Sequence, residues 1–382
     1  MHIGIDVRMI QDFPTGIGNY LENLIRALAK LPSGHRFVLI GNRGNKMEVW
    51  SRNQPQFDFV AIRSRPNSVH QHFLLPFEIS RLNLDLFWTT PWGASIFLRQ
   101  RYALTVYDLL YRRYPEIASW KARLYEAFFS KWIARRAAVI FTISEFVKND
   151  IVDFLGVKKS KIVNIQGAAS ESFKVLKNGH LQGQALQTLK RYGIIKPFFV
   201  YLGNFRPHKN LKTLLAAFAK LKAQNAKLVL IGSVDAKGRD RDSRDLLNLL
   251  KDLKLQSDVI LTGRIADDCE VAAILGEAVA LVHPSFHEGF GLTVLEAMSC
   301  GCPVIAADVT SIPEVVGDAG ILIDPHDVDE LVGAMREVLA GERPDLVSKG
   351  LAQAKKFSWE KIARGVLDEF SIFKSQFSMN FQ

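Results

Sequence analysis

Short apolar runs alternate with longer helical patterns along the whole 382-residue chain. Apolar, β-branched runs of about four to eight residues predict strands, and the segments between them repeat apolar residues at the spacing of amphipathic helices. Such alternation predicts parallel sheets covered by helices on both faces. Because the alternation forms two sets, we expect two doubly wound, Rossmann-like α/β domains of about 180 residues each. The predicted strands are 2–7, 36–40, 57–62, 84–89, 102–107, 138–143 and 161–165 in the first domain, and 198–202, 227–231, 259–262, 278–282, 303–306 and 320–323 in the second.

Apolar density falls between residues 176 and 187, where polar residues and glycines interrupt the pattern. Segments of this composition connect domains. We therefore expect a first domain over residues 1–182 and a second over residues 183–361. Residues 362–382 begin with an amphipathic stripe and predict a C-terminal helix.

Composition favours a folded protein in a reducing compartment, with 48% hydrophobic and 23% charged residues. The three cysteines (Cys269, Cys300 and Cys302) cannot all pair, and neither they nor the scattered histidines show a metal-binding spacing, so no metal site is expected. The first apolar run is short and contains Asp6, which argues against a signal peptide, and the sequence has no 18-residue apolar span. A cytoplasmic location is expected.

The formal net charge of +10 is concentrated in part between residues 101 and 140, where eight basic residues face three acidic ones. Aromatic residues interleave with these charges at mostly helical spacing (Trp120, Tyr125, Phe128, Phe129 and Trp132). A helix of this kind can lie on the anionic inner face of a membrane. Alternatively, the aromatic side chains pack into the core and the bases are merely solvated. Nucleic-acid binding is not expected, since the sequence has no zinc-finger spacing or RNA-recognition motif.

Glu288 and Glu296 lie eight positions apart, on either side of a helix start predicted near Gly291. Eight helical steps would separate them by about 12 Å, against about 5 to 9.5 Å for the paired carboxylates of a glycosidase, so the two are not expected to act on one hydrolysed bond. Unpaired N–H groups at the helix start, approached closely through Gly289 and Gly291, would suit a diphosphate. One glutamate could hold a sugar and the other a ribose. The alternative is a strand-turn-helix corner with two solvated glutamates.

The segment EGFGLTVLE (288–296), with residues 297–305 and Ile312-Pro313-Glu314-Val315 after it, resembles the donor-site signature of retaining GT-B glycosyltransferases. The resemblance is to the "glycosyl transferases group 1" family, similar to glycosyltransferase family 4, and extends over nearly the whole chain. It implies two Rossmann-like domains facing across a cleft, with the C-terminal helix packing back on the first. It also implies that Glu288 contacts the donor sugar, that Glu296 holds the ribose hydroxyls, and that the diphosphate meets the backbone of Gly289, Phe290, Gly291, Leu292 and Thr293.

A basic loop follows the first strand of the second domain, where Gly203 is succeeded by Arg206 and Lys209. Ligands bind at the carboxyl ends of such strands, and these two side chains could neutralise a departing nucleoside diphosphate without a metal. The alternative is a simple helix-entry turn. Relatives often carry an arginine at the places held here by Asn204 and His208.

A glycine turn at Gly16 and Gly18 follows the first strand and would let backbone amides approach an anion. It is not a dinucleotide-binding fingerprint, because Leu21 occupies the third glycine position. The resemblance implies that this turn lies against the donor phosphates.

Tyr107 and Asp108 end a strand of the first domain, where many relatives have His-Asp. The tyrosine could donate one hydrogen bond to the sugar but is no proton relay near neutral pH. Asp108 could orient a substrate or cap the next turn. Ser144 matches the next cleft loop of the family, or is an ordinary helix N-cap.

Together these features predict a retaining, metal-independent hexosyltransferase without a cofactor, with Glu288, Lys209 and Asp108 as catalytic residues. Similarity to bacterial transferases of O-antigen and exopolysaccharide assembly makes mannose from GDP-mannose the first choice of donor. The expected acceptor is a glycan or lipid-linked glycan. A UDP-sugar donor and a non-catalytic sugar-nucleotide-binding subunit are the alternatives, and the oligomeric state stays open.

Overall fold

The computed structural model describes residues 1–10, 16–175, 179–221, 226–235 and 240–379. The chain divides into two compact units, one formed by Met1–Gly167 with Ser358–Gln382 and the other by Ala168–Phe357. Of the predicted linker, residues 176–178 lie outside the described residues, and the remainder lies in a helix, Gly179–Arg191. The first unit thus gives way to the second soon after its last strand, rather than at residues 182 and 183.

The first unit contains a seven-stranded parallel sheet of order β3-β2-β1-β4-β5-β6-β7. Its strands are β1 (His2–Asp6), β2 (Arg36–Gly41), β3 (Phe57–Ala61), β4 (Leu86–Thr89), β5 (Tyr102–Val106), β6 (Val139–Thr142) and β7 (Ile162–Asn164). Its α-helices before β7 are α1 (Gly16–Ala29), α2 (Lys46–Ser51), α3 (Gln71–Ser80), α4 (Leu110–Arg113), α5 (Trp120–Leu124), α6 (Lys131–Arg136) and α7 (Glu145–Asp150). Tyr125–Ser130 and Ile151–Leu155 are π-helical, and Pro115–Ile117 and Lys159–Lys161 form 3-10 turns.

The second unit contains a six-stranded parallel sheet of order β10-β9-β8-β11-β12-β13. Its strands are β8 (Phe198–Leu202), β9 (Lys227–Ile231), β10 (Val259–Gly263), β11 (Ala280–His283), β12 (Val304–Ala307) and β13 (Ile321–Ile323). Its helices are α8 (Gly179–Arg191), α9 (Leu211–Leu221), α10 (Arg241–Asp252), α11 (Asp268–Glu277), α12 (Leu292–Ser299), α13 (Ile312–Val316), α14 (Val328–Leu339) and α15 (Asp345–Ala354), with a 3-10 turn at Pro207–Lys209.

The last helix, α16 (Trp359–Met379), packs on the first unit. Phe370 from this helix is fully buried, with its ring centroid 5.5 Å from that of Trp88 and 5.9 Å from that of Phe141. The amphipathic stripe in the sequence therefore covers apolar side chains of β4 and β6.

The predicted fold class is confirmed, and every predicted strand is observed within two residues of its expected ends. The strands read as nearly continuous apolar runs because helices cover both faces of each sheet. Within the described residues, no helix combines the length and the apolar character needed to cross a bilayer.

Candidate active site

The segment from β11 to α12 forms the strand-turn-helix corner that the sequence predicts. Gly291 is the N-cap residue of α12, with φ of 107° and ψ of 45°. A β-carbon at this position would also lie 2.8 Å from Cδ1 of Ile312. Both the backbone conformation and the limited space therefore favour glycine here. Glu288 lies in the loop before the helix, and Glu296 lies in its second turn.

Glu288 is the centre of a compact charged cluster in the second unit. Its Oε1 accepts from Nζ of Lys209 at 2.6 Å and lies 2.7 Å from Nε2 of His283. The side chains of Glu288 and Lys209 are each 14% exposed, and that of His283 is 2% exposed. Burial raises the pKa of Glu288, but the neighbouring Lys209 and His283 outweigh it and hold the pKa well below its ordinary value. A carboxylate is therefore kept ionised in a largely buried place.

The topology of the sheet explains why residues 79 positions apart meet here. Lys209 follows β8 and Glu288 follows β11, and these strands are hydrogen-bonded neighbours in parallel. Strand order reverses between β8 and β11, and doubly wound sheets bind ligands at such a switch point.

Hydrogen bonds connect the loop that carries Lys209 to the loop that carries Glu288. The N–H of Phe286 donates to the carbonyl of His208 at 2.8 Å. Asn210, buried and left-handed with φ of 57°, donates its side-chain amide to the carbonyls of Pro284 at 3.0 Å and Pro325 at 2.7 Å. Burial and the adjacent Lys209 lower the pKa of His208 to about 4, so this ring is neutral at neutral pH. The loops that carry Lys209 and Glu288 are thereby fixed relative to each other.

The main chain of Glu288 is held from another direction, by the loop between β12 and α13. Its N–H donates to Oγ1 of Thr310 at 3.3 Å, and its carbonyl accepts from Oγ of Ser311 at 2.9 Å. Thr310 is left-handed, with φ of 60°, which is uncommon for a β-branched residue. Strain of this kind is tolerated where the surrounding structure enforces it, often at functional sites.

His283 is a site residue to which the sequence reasoning gave no role. It is the last residue of β11, and Ser285 Oγ lies 3.3 Å from its Nε2. The available signal was a histidine at the carboxyl end of a buried strand, five positions before a glutamate assigned to the donor.

The other donor residues lie in different surroundings. Burial, reinforced by the negative charge of Asp268, raises the pKa of Glu296 to about 8. Arg206 is exposed, and its backbone N–H is bonded to Asn204 Oδ1 at 3.3 Å. Gly203 directly follows β8, and its carbonyl oxygen would lie 2.1 Å from a β-carbon at Gly232.

The remaining diphosphate candidates form the turn itself. Phe290 is buried, with its ring 5.8 Å from that of Phe357, while Leu292 and Thr293 are the first two residues of α12 and half-buried. Gly289 lies beside Glu288 in the loop. The first N–H groups of a helix lack partners within the helix, so this turn can bind an anion.

In the first unit, Asp108 and Ser144 both make capping contacts. Asp108 is exposed, and its Oδ1 accepts from the N–H of Leu110 at 3.1 Å. Ser144 is buried, and its Oγ accepts from the N–H of Val147 at 3.1 Å, which makes it the N-cap of α7. Each side chain therefore makes the kind of contact that was considered as the alternative to a substrate-binding role.

Tyr107 follows β5 and is buried, with its ring centroid 5.3 Å from that of Tyr20 in an edge-to-face arrangement. Burial, with the negative charge of Asp6, raises its pKa well above the ordinary value, so the phenol stays protonated. It can serve as a hydrogen-bond donor only.

Gly16 and Gly18 lie in the first turn of α1 rather than in a loop before it. The preceding residues of the predicted glycine turn, Pro14 and Thr15, lie outside the described residues. Among the residues that the structure describes, no atom lies within 4 Å of a β-carbon built at Gly16.

A buried ion pair at the end of β1 also escaped the sequence reasoning. Arg8 binds Asp6 through two bonds, Nη2 to Oδ2 at 2.6 Å and Nε to Oδ1 at 2.8 Å. Thr89 Oγ1 donates to the same carboxylate at 2.6 Å, and Arg8 donates to the carbonyl of Gly93 at 2.6 Å and to Ser64 Oγ at 3.1 Å. This network lies between β1 and β4, where the strand order of the first sheet reverses. An acid and a base two positions apart after a buried strand were the available signal.

In the described part of the chain, no group of three or more histidine, cysteine, aspartate or glutamate side chains is placed to hold a metal ion. The charged centre instead combines one carboxylate with a lysine and a histidine.

Comparison with solved structures defines the class of fold. A structure of Anabaena HepE with UDP and glucose has a TM-score of 0.77 at 18% identity, covering 97% of this chain and 99% of that one. A sucrose-phosphate synthase from Thermosynechococcus elongatus has a TM-score of 0.76 at 20% identity, covering 99% of both chains. Together with the two parallel sheets, these similarities show that the protein has the GT-B fold of glycosyltransferases.

Sequence comparison gives the family. "Glycosyltransferase Family 4" matches residues 14–168, and "Glycosyl transferases group 1" matches residues 192–356. The chain therefore contains a glycosyltransferase family 4 domain followed by a group 1 glycosyltransferase domain, as the Glu288–Glu296 segment implied.

Curated relatives include an Escherichia coli "O-antigen chain mannosyltransferase B", 32% identical over 242 residues that cover 62% of this chain and 61% of the relative. The E. coli "serotype-specific mannosyltransferase WbdA" is also 32% identical over 243 residues, which cover 62% of this chain and 29% of the relative. The matched segments thus span between about a quarter and three fifths of the length of these proteins.

Proposed function

We propose that the protein is a retaining, metal-independent glycosyltransferase that moves mannose from GDP-mannose to a glycan or lipid-linked glycan in the synthesis of a cell-surface polysaccharide. The observation that carries this proposal is the cluster of Lys209, His283 and Glu288 at the switch point of the second sheet, next to the glycine-capped start of α12. This arrangement provides one ionised carboxylate and several donors for an anion within a single loop system.

The donor would lie along the loop between β11 and α12. The first N–H groups of α12, with Lys209 and the exposed Arg206, would bind the diphosphate, and Glu296 would accept from the ribose hydroxyls. Glu288 would hold the sugar. Basic side chains would neutralise the negative charge of the diphosphate in place of a metal ion, which is the basis for proposing metal independence.

In the transfer step, the bond from the anomeric carbon to the diphosphate oxygen breaks, and its electron pair leaves with the diphosphate. The oxygen of the acceptor hydroxyl forms a new bond to the anomeric carbon on the same face of the sugar, and the hydroxyl proton passes to the departing diphosphate. Negative charge grows on the departing diphosphate, where Lys209 and the helix N-terminus stabilise it. Positive charge grows at the anomeric carbon, where the ionised Glu288 favours it. Asp108 and Tyr107 of the first unit would bind the acceptor or the sugar.

The choice of mannose rests on two E. coli relatives, which are 32% identical to this chain over 243 and 242 residues and are mannosyltransferases. Solved structures of similar fold carry UDP and glucose, so a UDP-hexose is the alternative donor. A non-catalytic sugar-nucleotide-binding subunit is a second alternative, favoured by the aromatic phenol of Tyr107 at a position where many relatives carry histidine. We propose a cytoplasmic location, with peripheral contact at the inner face of the membrane.

The proposal is tested by titrating the protein with GDP-mannose, other GDP-hexoses and UDP-hexoses, and by measuring nucleoside diphosphate release with and without glycan acceptors. We expect binding and acceptor-dependent release with GDP-mannose, unchanged in EDTA, and a product with the anomeric configuration of the donor by NMR. Release from UDP-hexoses alone would establish the other donor. Binding without release for any acceptor would favour the binding subunit.

The site is tested by Glu288→Gln, with Glu277→Gln as the matched control. Glu277 also pairs with a lysine, Lys196, but on the surface of the same unit. We expect Glu288→Gln to lower kcat by about 100-fold or more, and Glu277→Gln to leave it unchanged. Equal turnover of the two variants would show that the donor site is elsewhere.

A further inference from the structure

The helical segment from Trp120 to Arg136 exposes a stripe of large apolar side chains. Trp120, Leu124, Phe128 and Trp132 are between 49% and 70% exposed, at every fourth position. In a regular α-helix such a series drifts around the axis by about 40° per step. Here the middle of the segment, Tyr125–Ser130, is π-helical, and its larger number of residues per turn reduces this drift. The four side chains therefore face nearly the same way.

A second apolar stripe lies on α3 and the turn just before it. Val69, Phe73 and Phe77 follow the same spacing and are each more than half exposed. The ring of Phe97, also more than half exposed, lies 5.4 Å from that of Phe73.

These two stripes flank one seam between the helices. The ring of His72 on α3 lies 5.9 Å from that of Phe129 and 6.4 Å from that of Tyr125. Trp92 stacks on the same Tyr125 at 4.3 Å. Of the five aromatic residues from Trp120 to Trp132, Tyr125 and Phe129 thus pack inward, whereas Trp120, Phe128 and Trp132 remain exposed. We call the exposed residues of both stripes, with Phe97, the apolar surface.

Two arginines contact aromatic rings of the apolar surface. The guanidinium of Arg81 lies 3.9 Å from the ring centroid of Phe77, and that of Arg136 lies 5.4 Å from that of Trp132. Arg99, Arg123 and Arg135 are also exposed.

The acidic residues of the two helices do not offset this charge at the surface. Each segment contains one acid, Glu78 in α3 and Glu126 in the other. The carboxylate of Glu78 accepts from the backbone N–H groups of Arg63 at 2.6 Å and Ser64 at 3.2 Å. Glu126 is buried, and burial raises its pKa.

We propose that the apolar surface inserts into the headgroup region of an anionic lipid bilayer. Apolar and aromatic side chains flanked by arginines match that environment, because rings enter the acyl boundary while cations remain among the phosphates. Charge complementarity selects the anionic leaflet over a protein partner. This inference rests on the membrane contact in the proposed function, which it assigns to named residues, and it depends on neither the donor nor the reaction.

The test is flotation of the full-length protein with phosphatidylcholine vesicles containing or lacking phosphatidylglycerol. We expect binding to the anionic vesicles at low salt, weakened at high salt, and little binding to the neutral ones. Phe73→Ser with Phe128→Ser should lower the partition coefficient by about tenfold or more, and Arg123→Glu with Arg136→Glu should do the same. The matched controls are Val49→Ser, at a position on α2 that is 64% exposed, and Arg52→Glu, at the exposed residue that ends the same helix.

Circular dichroism would check that every variant is folded, and Phe128→Leu should retain binding because it keeps an apolar side chain. Quenching by brominated lipid should fall in Trp120→Phe. The proposal is overturned if the parent protein does not float with anionic vesicles, if the surface variants float as well as the controls, or if the surface variants abolish self-association of the chain while leaving vesicle binding intact. Since flotation requires no donor, these results are independent of the transferase assays.

Discussion

Replacing Lys209 by methionine tests the charged cluster most directly. Methionine keeps much of the length and apolar volume of lysine but removes the ammonium group that lies 2.6 Å from Glu288 Oε1. His283 remains 2.7 Å from the same oxygen, so the carboxylate keeps one partner. The substitution therefore separates the charge of Lys209 from the packing around it.

The effect on stability follows from this geometry. Removing one member of a buried ion pair costs about 3–5 kcal/mol. Because His283 remains and each partner is 14% exposed, we expect a smaller loss of about 1–3 kcal/mol in the free energy of unfolding. The pKa of Glu288 is held below its ordinary value largely by Lys209, so it should rise in the variant. Stability from a lowered carboxyl pKa is present above the unfolded-state value of about 4.3 and is lost as pH falls through the folded-state pKa. The stabilities of the parent and the variant should therefore approach each other as pH falls below about 4, and converge only below the folded-state pKa of Glu288 in the parent.

The effect on transfer should be larger than the effect on folding. Loss of one preorganised charge on a leaving group costs about 100- to 1,000-fold in rate. The effect on transfer is measured as kcat/KM for nucleoside diphosphate release. The effect on stability is measured by urea unfolding at pH 7 and at a series of pH values below about 4. Lys227→Met is the control, since Lys227 pairs with Asp258 at 2.8 Å in the same unit but outside the cluster. Lys209→Arg should recover part of the rate. If Lys209→Met turned over donor within about threefold of the parent, the assignment of Lys209 to the leaving group would be refuted.

Three further substitutions test other parts of the site. Glu296→Gln should be more stable than the parent at pH 9 and equally stable near pH 4. The reason is that a carboxyl with a folded-state pKa of about 8 loses its contribution to stability as pH rises from its unfolded-state value of about 4.3 to 8. Urea unfolding across this range measures the difference in stability, and a difference that does not change with pH would contradict the prediction. Gly291→Ala should lower the free energy of unfolding by about 1–3 kcal/mol, since φ is 107° and the new β-carbon would meet Ile312; unchanged denaturant midpoints would contradict the strain. Tyr107→Phe should lower kcat/KM by about three- to tenfold without changing its pH profile below pH 9, if the phenol donates one hydrogen bond; an altered profile would indicate proton transfer instead.

The strands were predictable because both sheets are covered on both faces. Each buried strand, such as β8 or β11, must be almost entirely apolar, and the polar residues at its end mark where the backbone leaves the core. The start of α12 was equally readable, since Gly291 has a left-handed backbone that other residues rarely adopt. These features are local, so a single sequence contains them.

Contacts between distant segments were less accessible to sequence reasoning. Glu288 was expected to hold a sugar, but nothing local indicated that His283 turns toward its carboxylate, or that Thr310 and Ser311 hold its backbone. The same applies to Gly16 and Gly18, which already lie within α1. The helix cap at Ser144 was predictable, because a capping contact joins residues only three positions apart.

Strand order is the missing information that connects these cases. A sequence gives the order of strands along the chain but not which strands are neighbours, and each sheet reverses its direction of winding once, between β8 and β11 and between β1 and β4. At the first reversal lies the Lys209–Glu288 pair, and at the second lies the Asp6–Arg8 pair. Loops that diverge from neighbouring strands leave a crevice at such a point, and charged groups brought there must pair or meet a ligand. The Asp6–Arg8 pair is fully enclosed and satisfied by Thr89 and by protein carbonyl and hydroxyl groups, so it serves the fold, whereas the Lys209–Glu288 pair remains partly open and can exchange its partners for a ligand.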